Sequence, residues 1–316
     1  MKSLQALPIH HRLLFFLLAV LAFTCVISPW LALGADWAVT RWPDILSERI
    51  PFSRVFNRAF MFAGIILFIM CRRLFVVGQI KSLIAVDRRA GCRDLFIGFG
   101  LAWGSMIVLV MLMIASGIFT PLLRMSAGGA LGRFASAAAA GLFTGALEEL
   151  FFRAILFKGL YDAGNPLRAY LAANLFYSAL HFVKPGEAYF LDHFDPLAGF
   201  AHLLTTFAPF LDLLPLLPGL FGLLLIGIVL SYAVIRSGKL YLSIGLHAGW
   251  VFSLKIVRVF GNFTRQDLGW LYGSTNPKIV SGVATWIGVT LVGVAIYFVT
   301  KNRSDRSHDR LRATAA

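Results

Sequence analysis

Glu148 and Glu149 are adjacent and Arg153 follows four residues later, all within the otherwise apolar run Gly141–Phe157. Ionisable side chains are costly at membrane depth, and there they mark a relay, a pathway or a catalytic site. In a helix, residues four apart lie roughly 40° from each other around the axis, and residues five apart roughly 140°. Glu149 can therefore pair with Arg153 along one face, while Glu148 points elsewhere and is left as a surplus carboxylate. A buried carboxylate beside a satisfied ion pair suits general acid–base work near neutral pH. The plainer alternative is that all three residues form a structural polar cluster between helices.

Two histidines in later apolar runs could join Glu148. His181 shares a helical stripe with Asn174 and Ser178, and Tyr177 lies four residues before it on roughly that face. His247 has Ser243 one turn before it and the small residues Ala248 and Gly249 beside it. Taken singly, each is a hydrogen-bonded core histidine as readily as a ligand. Taken together, Glu148, His181 and His247 supply one carboxylate and two imidazoles from three helices. That set can polarise a water, with or without a divalent metal such as Zn²⁺. The segment Ala188–Asp195, with His202 beyond it, matches no ligand spacing and is expected to be a solvated or interfacial loop. Its aromatics, with Trp30, Trp37 and Trp42, suit a membrane interface.

The elements that position these residues must be membrane helices. Of the 316 residues, 59% are hydrophobic and 14% charged, where a soluble domain carries roughly a quarter charged residues. The net charge of +14 falls in short loops between apolar runs, as membrane topology requires, so nucleic acid is not an expected partner. At ~20 apolar residues per crossing, about eight spans emerge: Leu13–Gly34, Val55–Cys71, Leu95–Phe119, Ser136–Leu160, Leu167–Val183, Leu216–Ile235, Leu240–Phe260 and Ile279–Thr300. Arg72 and Arg73 close the second. The fold class expected is an all-α polytopic integral membrane bundle, with residues 1–316 as a single membrane domain. The Lys/Arg bias places both termini in the cytoplasm and the acidic segment Lys184–Pro215 outside. The first span, preceded by His10, His11 and Arg12, loosely resembles a signal peptide, but its length favours a retained helix. Cys25, Cys71 and Cys92 are scattered, form neither a disulfide framework nor a zinc pattern, and read as packing residues.

Three segments carry a family resemblance. Glu148-Glu149-Leu-Phe-Phe-Arg153 resembles the E-E-x-x-x-R motif of the CPBP family, which holds the type II CAAX prenyl proteases and bacteriocin-processing enzymes. Tyr177-Ser-Ala-Leu-His181 is similar to its F-x-x-x-H motif, and His247-Ala-Gly-Trp-Val251 to its H-x-x-x-N/D motif. The resemblance covers about residues 141–260. It implies an intramembrane metallo-type endopeptidase acting on a membrane-anchored peptide or protein, in a bacterial cytoplasmic membrane. By the same resemblance Glu148 and His181 activate the attacking water, His247 stabilises the oxyanion or helps hold a metal, and Glu149 and Arg153 brace the site. A zinc ion on Glu148, His181 and His247 is the cofactor this implies.

Two positions depart from the pattern. Val251 stands where the family has Asn or Asp, and Tyr177 where it has Phe. The Tyr177 hydroxyl is a candidate to replace the missing donor. Two other function classes fit the same residues: a proton-coupled transporter using Glu148, His181 and His247 as a relay, and an inactive membrane scaffold. No paired, repeat-related broken helices favour the transporter.

Overall fold

The computed structural model describes residues 7–44, 48–71, 77–183, 189–265, 267–273 and 279–313. Arg72 and Arg73, and Lys184 and Glu187 of the acidic segment, lie outside them. In chain order the helices are α1 (Ile9–Arg41), α2 (Phe52–Cys71), α3 (Val77–Ile84), α4 (Arg88–Ala115) and α5 (Ala127–Glu149). A π-helical segment, Leu150–Phe157, continues α5 directly into α6 (Lys158–Asp162). Then come α7 (Pro166–Leu180), α8 (Ala198–Thr206), α9 (Leu217–Ser237), α10 (Tyr241–Val257), α11 (Gly269–Tyr272) and α12 (Val283–Ala313). A two-stranded antiparallel ribbon, β1 (Phe119–Pro121) with β2 (Gly261–Phe263), pairs Phe119 with Phe263 and Pro121 with Gly261.

The chain is an all-helical bundle with almost no sheet, and helix covers most of each apolar run read from the sequence. Among the described residues, five helical stretches are long and apolar enough to cross a membrane: His11–Arg41, Phe52–Cys71, Arg88–Ala115, Leu214–Ser237 and Val283–Lys301. The helix carrying His247 is shorter, at 17 residues. The helix carrying Glu148 begins nine residues earlier than its apolar run, at Ala127, because Ser126 caps it by accepting a hydrogen bond from Gly129 N.

Contacts divide the chain into two compact units. The first comprises residues 1–77 and 179–216. In it α1, α2 and α8 pack around Cys25, Phe52, Phe56 and Ala198. Arg49 ties the connecting segments together by donating to Asp36 Oδ2 at 2.8 Å and to the Leu191 carbonyl at 2.9 Å. His202 is buried here, only 1% exposed, with its ring against Phe52, Phe56 and Tyr189. Residues 189–195 carry neither helix nor strand, as expected, but His202 beyond them sits on a helix, and the aromatics that cover it come in part from a helix some 150 positions earlier in sequence.

The second unit comprises residues 78–178 and 217–316. Its centre is α10, packed between α4 and α5. Glycines set that packing. A side chain at Gly98, Gly245 or Gly249 would collide with backbone across the α4–α10 seam, and a Cβ at Gly141 would lie 2.7 Å from the Ala248 carbonyl oxygen. Small residues at such seams let helix backbones approach closely, which is how membrane helices gain packing energy. Gly238, at φ +68°, supplies the left-handed residue that ends α9 and lets the chain turn back into α10.

Candidate functional site

The π segment begins immediately after Glu149. Its eight residues, Leu150–Phe157, are apolar except for Arg153. π-Helical turns are uncommon and concentrate at functional sites. Here the switch from α to π hydrogen bonding falls between the carboxylate pair and the guanidinium. The i, i+4 pairing is retained across it: Arg153 Nη1 lies 3.1 Å from Glu149 Oε1, with both side chains fully buried.

Arg153 is held from three directions. Besides Glu149, Nη2 donates to the Gly227 carbonyl on α9 at 3.3 Å. The guanidinium also lies 4.3 Å from the centroid of the Tyr177 ring, contributed by α7. A desolvated cation over an aromatic face gains about 2 kcal/mol. Asn174, one turn before Tyr177's own turn of α7, accepts from Ser231 Oγ at 3.1 Å and donates to the Tyr170 carbonyl at 2.8 Å. Ser178 donates to the Leu220 carbonyl at 2.7 Å. These bonds fix α7 against α9 and so fix the surface on which Arg153 rests.

Glu149 has two further partners, both from α10. Ser243 Oγ donates to Glu149 Oε2. His247 Nδ1 lies 2.9 Å from Glu149 Oε1, a bond that the Nδ1–H tautomer donates. Ser243 and His247 are four residues apart, so one helix face presents both to a single carboxylate. The same imidazole turns its other nitrogen toward Glu148: Nε2 is 3.7 Å from Glu148 Oε2, beyond hydrogen-bond length. Glu148 retains 30% side-chain exposure where Glu149 has none.

Within this unit the structure thus brings together Glu148, Glu149, Arg153, Tyr177 and His247. His181 follows the last residue of α7 directly and belongs with residues 179–216 in the other unit. Sequence reasoning placed Ser243 beside His247 but did not connect it to Glu149. Its i, i+4 spacing from His247 was the available signal. The Gly227 carbonyl carried no signal, since any residue type provides one. Next to Val251, Trp250 donates from Nε1 to Ser105 Oγ at 3.3 Å.

Among the described residues, no group of three or more His, Cys, Asp and Glu side chains is placed to hold a metal ion. Within this unit Glu148 and the Nε2 of His247 offer two donors, where a catalytic zinc takes three protein ligands.

What the arrangement does supply is an oriented imidazole. A carboxylate on one ring nitrogen sets the tautomer and direction of the other, and it stabilises the ring when a second proton arrives. Glu149 can fill that role at low cost because Arg153 already offsets its charge.

No curated protein and no solved structure matches the chain. Residues 130–253, somewhat under half of its length, match the family model described as type II CAAX prenyl endopeptidase, Rce1-like. The match begins within α5, takes in the π segment, and ends within α10. All three motif segments, with Glu148, His181 and His247, fall inside it, so the match supports the CPBP-family resemblance across residues 130–253 of a helical, multi-pass membrane protein.

Proposed function

We propose that the protein is an intramembrane endopeptidase that hydrolyses a peptide bond of a membrane-anchored peptide or protein, with Glu148 as general base. The observation that supports this most is the placement of His247 between two carboxylates of different character. Glu149 is buried, paired and bonded to Nδ1. Glu148 is partly exposed and faces Nε2.

In the proposed reaction, water approaches beside Glu148 and Nε2 of His247. Glu148 takes one proton as the water oxygen bonds to the carbonyl carbon, leaving a tetrahedral oxyanion. His247, kept in register by Glu149 and Ser243, serves that oxyanion as a donor. Collapse of the intermediate breaks the carbon–nitrogen bond, and the proton held by Glu148 passes to the departing amine. Positioned acid–base groups of this kind contribute about 10²–10⁴ in rate. Arg153 and Tyr177 hold Glu149 and take no part in the proton transfers.

The distribution of Lys and Arg along the chain supports a topology with both termini cytoplasmic and the segment after α7 outside. It also fits a bacterial cytoplasmic membrane, with lipid and the substrate's anchor as partners.

The test is Glu148→Gln in the native membrane, with protein termini compared against wild type by mass spectrometry. Peptide termini that disappear in the variant while the protein accumulates normally support the proposal. Unchanged termini, with flux of a solute in proteoliposomes that depends on Glu148, would replace it with a carrier. Cleavage abolished by a chelator and restored by Zn²⁺ would assign Glu148, His181 and His247 to a metal instead.

A further inference from the structure

The second unit holds a cavity of about 720 Å³ at the opposite end of α5 and α10 from the carboxylate pair. Arg133, which lines it, precedes Glu149 by about 24 Å of helix rise. Arg124, Arg133, Lys255 and Arg258 all line this cavity, together with Ser136. None of the four cations has a carboxylate partner among the described residues, whereas Arg265 nearby is paired with Asp267. The surrounding chain offers no acid to neutralise them: residues 95–147 and 213–266 contain neither Asp nor Glu.

Local structure holds the cations in one place. Beyond the β1–β2 pairing, Leu122 N donates to the Phe260 carbonyl and Arg124 N donates to the Val259 carbonyl at 3.2 Å. This extension of the ribbon sets Arg124 beside the chain that carries Arg258. Lys255 and Arg258 lie three apart at the end of α10, on adjoining positions of one face. Arg133 and Ser136 are likewise three apart on α5. Four like charges held together are unfavourable unless an anion joins them.

Two apolar grooves adjoin the basic cavity. One shares Leu254 and Ile279 with it and runs between α4, α10 and α12, past Met106, Leu109 and Ile287. The other shares Val257 and runs along the opposite side of α4, past Trp103, Ile107 and Phe134. Both grooves follow helices long and apolar enough to cross a membrane. A basic pocket flanked by two apolar channels matches an amphiphile with an anionic head and two hydrocarbon chains. A soluble phosphate would use the pocket and leave both grooves without a role.

We propose that this cavity is the headgroup site of an anionic diacyl phospholipid, with the acyl chains lying along the two grooves. The volume falls in the range of small-molecule sites, about 300–1,000 Å³. Each Lys or Arg near an anionic lipid surface strengthens attachment roughly fivefold.

The experiment uses the full chain in neutral detergent, titrated with fluorescent phosphatidylglycerol and, separately, with fluorescent phosphatidylcholine. Phosphatidylglycerol is expected to bind at least tenfold more tightly. The double variant Arg133→Gln/Arg258→Gln should lose at least tenfold of that affinity, while Arg265→Gln, whose cation is already paired outside the cavity, should lose less than threefold. Melting temperatures measured without lipid identify any variant that fails to fold. In that case Ser136→Glu, which adds an opposing charge to the cavity wall, takes its place with the same expected loss. Equal binding of the two lipids, or an equal loss in Arg265→Gln, would overturn the proposal. Inorganic phosphate should not displace the lipid at tens of millimolar, and full displacement would make the cavity a site for soluble anions.

Discussion

Two buried histidines, one in each unit, have little in common beyond their burial. His247 is 5% exposed and every nitrogen faces a carboxylate: Glu149 at 2.9 Å from Nδ1 and Glu148 at 3.7 Å from Nε2. His202 is 1% exposed, and neither ring nitrogen has a hydrogen-bond partner among the described residues. Its neighbours are the rings of Phe52, Phe56 and Tyr189. Burial alone therefore says little about what an imidazole does. Carboxylates give the ring nitrogens of His247 polar neighbours, whereas an aromatic cage opposes any charge on His202. The first environment suits chemistry, and the second suits a side chain that must stay neutral to pack.

Substitution should separate the two most sharply in activity. His247→Ala is expected to lower kcat about 10²–10⁴-fold, read from the rate of product formation in membranes, while His202→Phe should leave kcat within about threefold. Equal losses in both would mean that His247 acts through packing, and the contrast would fail.

The next effect is on stability. Arg153→Met removes one partner of a fully buried pair and strands Glu149, which typically costs about 3–5 kcal/mol. Unfolding in detergent should show it. A much smaller cost would mean that Ser243 and His247 satisfy Glu149 without the guanidinium.

A third expectation concerns pH. Burial pushes the His202 imidazole below its ordinary value near 6.5, in a helix outside the candidate spans. The unfolded chain then binds a proton at this position before the folded one does. Stability should be full above about pH 6.5 and decline as pH falls from there toward the folded-state value. His202→Phe should flatten that decline in melting temperature, and an unaltered decline would point to another group.

The smallest effect is expected at Tyr177. Phe keeps the ring beneath the Arg153 guanidinium, so Tyr177→Phe should hold kcat within about threefold. A loss of tenfold or more at constant KM would instead give the hydroxyl a place beside the oxyanion, as the departures at positions 177 and 251 first suggested.

The parts of this site that are legible in sequence are the local ones. Glu149 and Arg153 announce their pairing by a spacing of four, and so in retrospect do Ser243 and His247. The carboxylate that His247 meets first is another matter. Spacing singled out Glu148 as the acid outside the pairing with Arg153, and the structure gives the nearer contact of His247 to Glu149, because a carboxylate has two oxygens and several acceptor positions. One ion pair does not exhaust them. The π segment was not legible either: a run apolar on every side has no stripe whose drift could betray a change of helical pitch. His202 was hidden for a different reason. Its own surroundings in sequence look like a surface loop, and its burial depends on Phe52 and Phe56, far away in the chain. The helical runs themselves were legible because composition alone dictates them, though their ends moved where a cap such as Ser126 extended the helix.

The glycine seams along α10 bear on how a substrate could reach His247. Opening motions need an interface that can part, or a few residues that absorb a hinge. On one side α10 touches α4 backbone to backbone at Gly98, Gly245 and Gly249, and on the other it meets α5 at Gly141 and Gly145. Sliding by even a fraction of a turn would drive side chains into spaces that admit only hydrogen. His247 is in effect mounted on a fixed post, so under the proposed activity a gate for the peptide would be made of chain that does not share these seams.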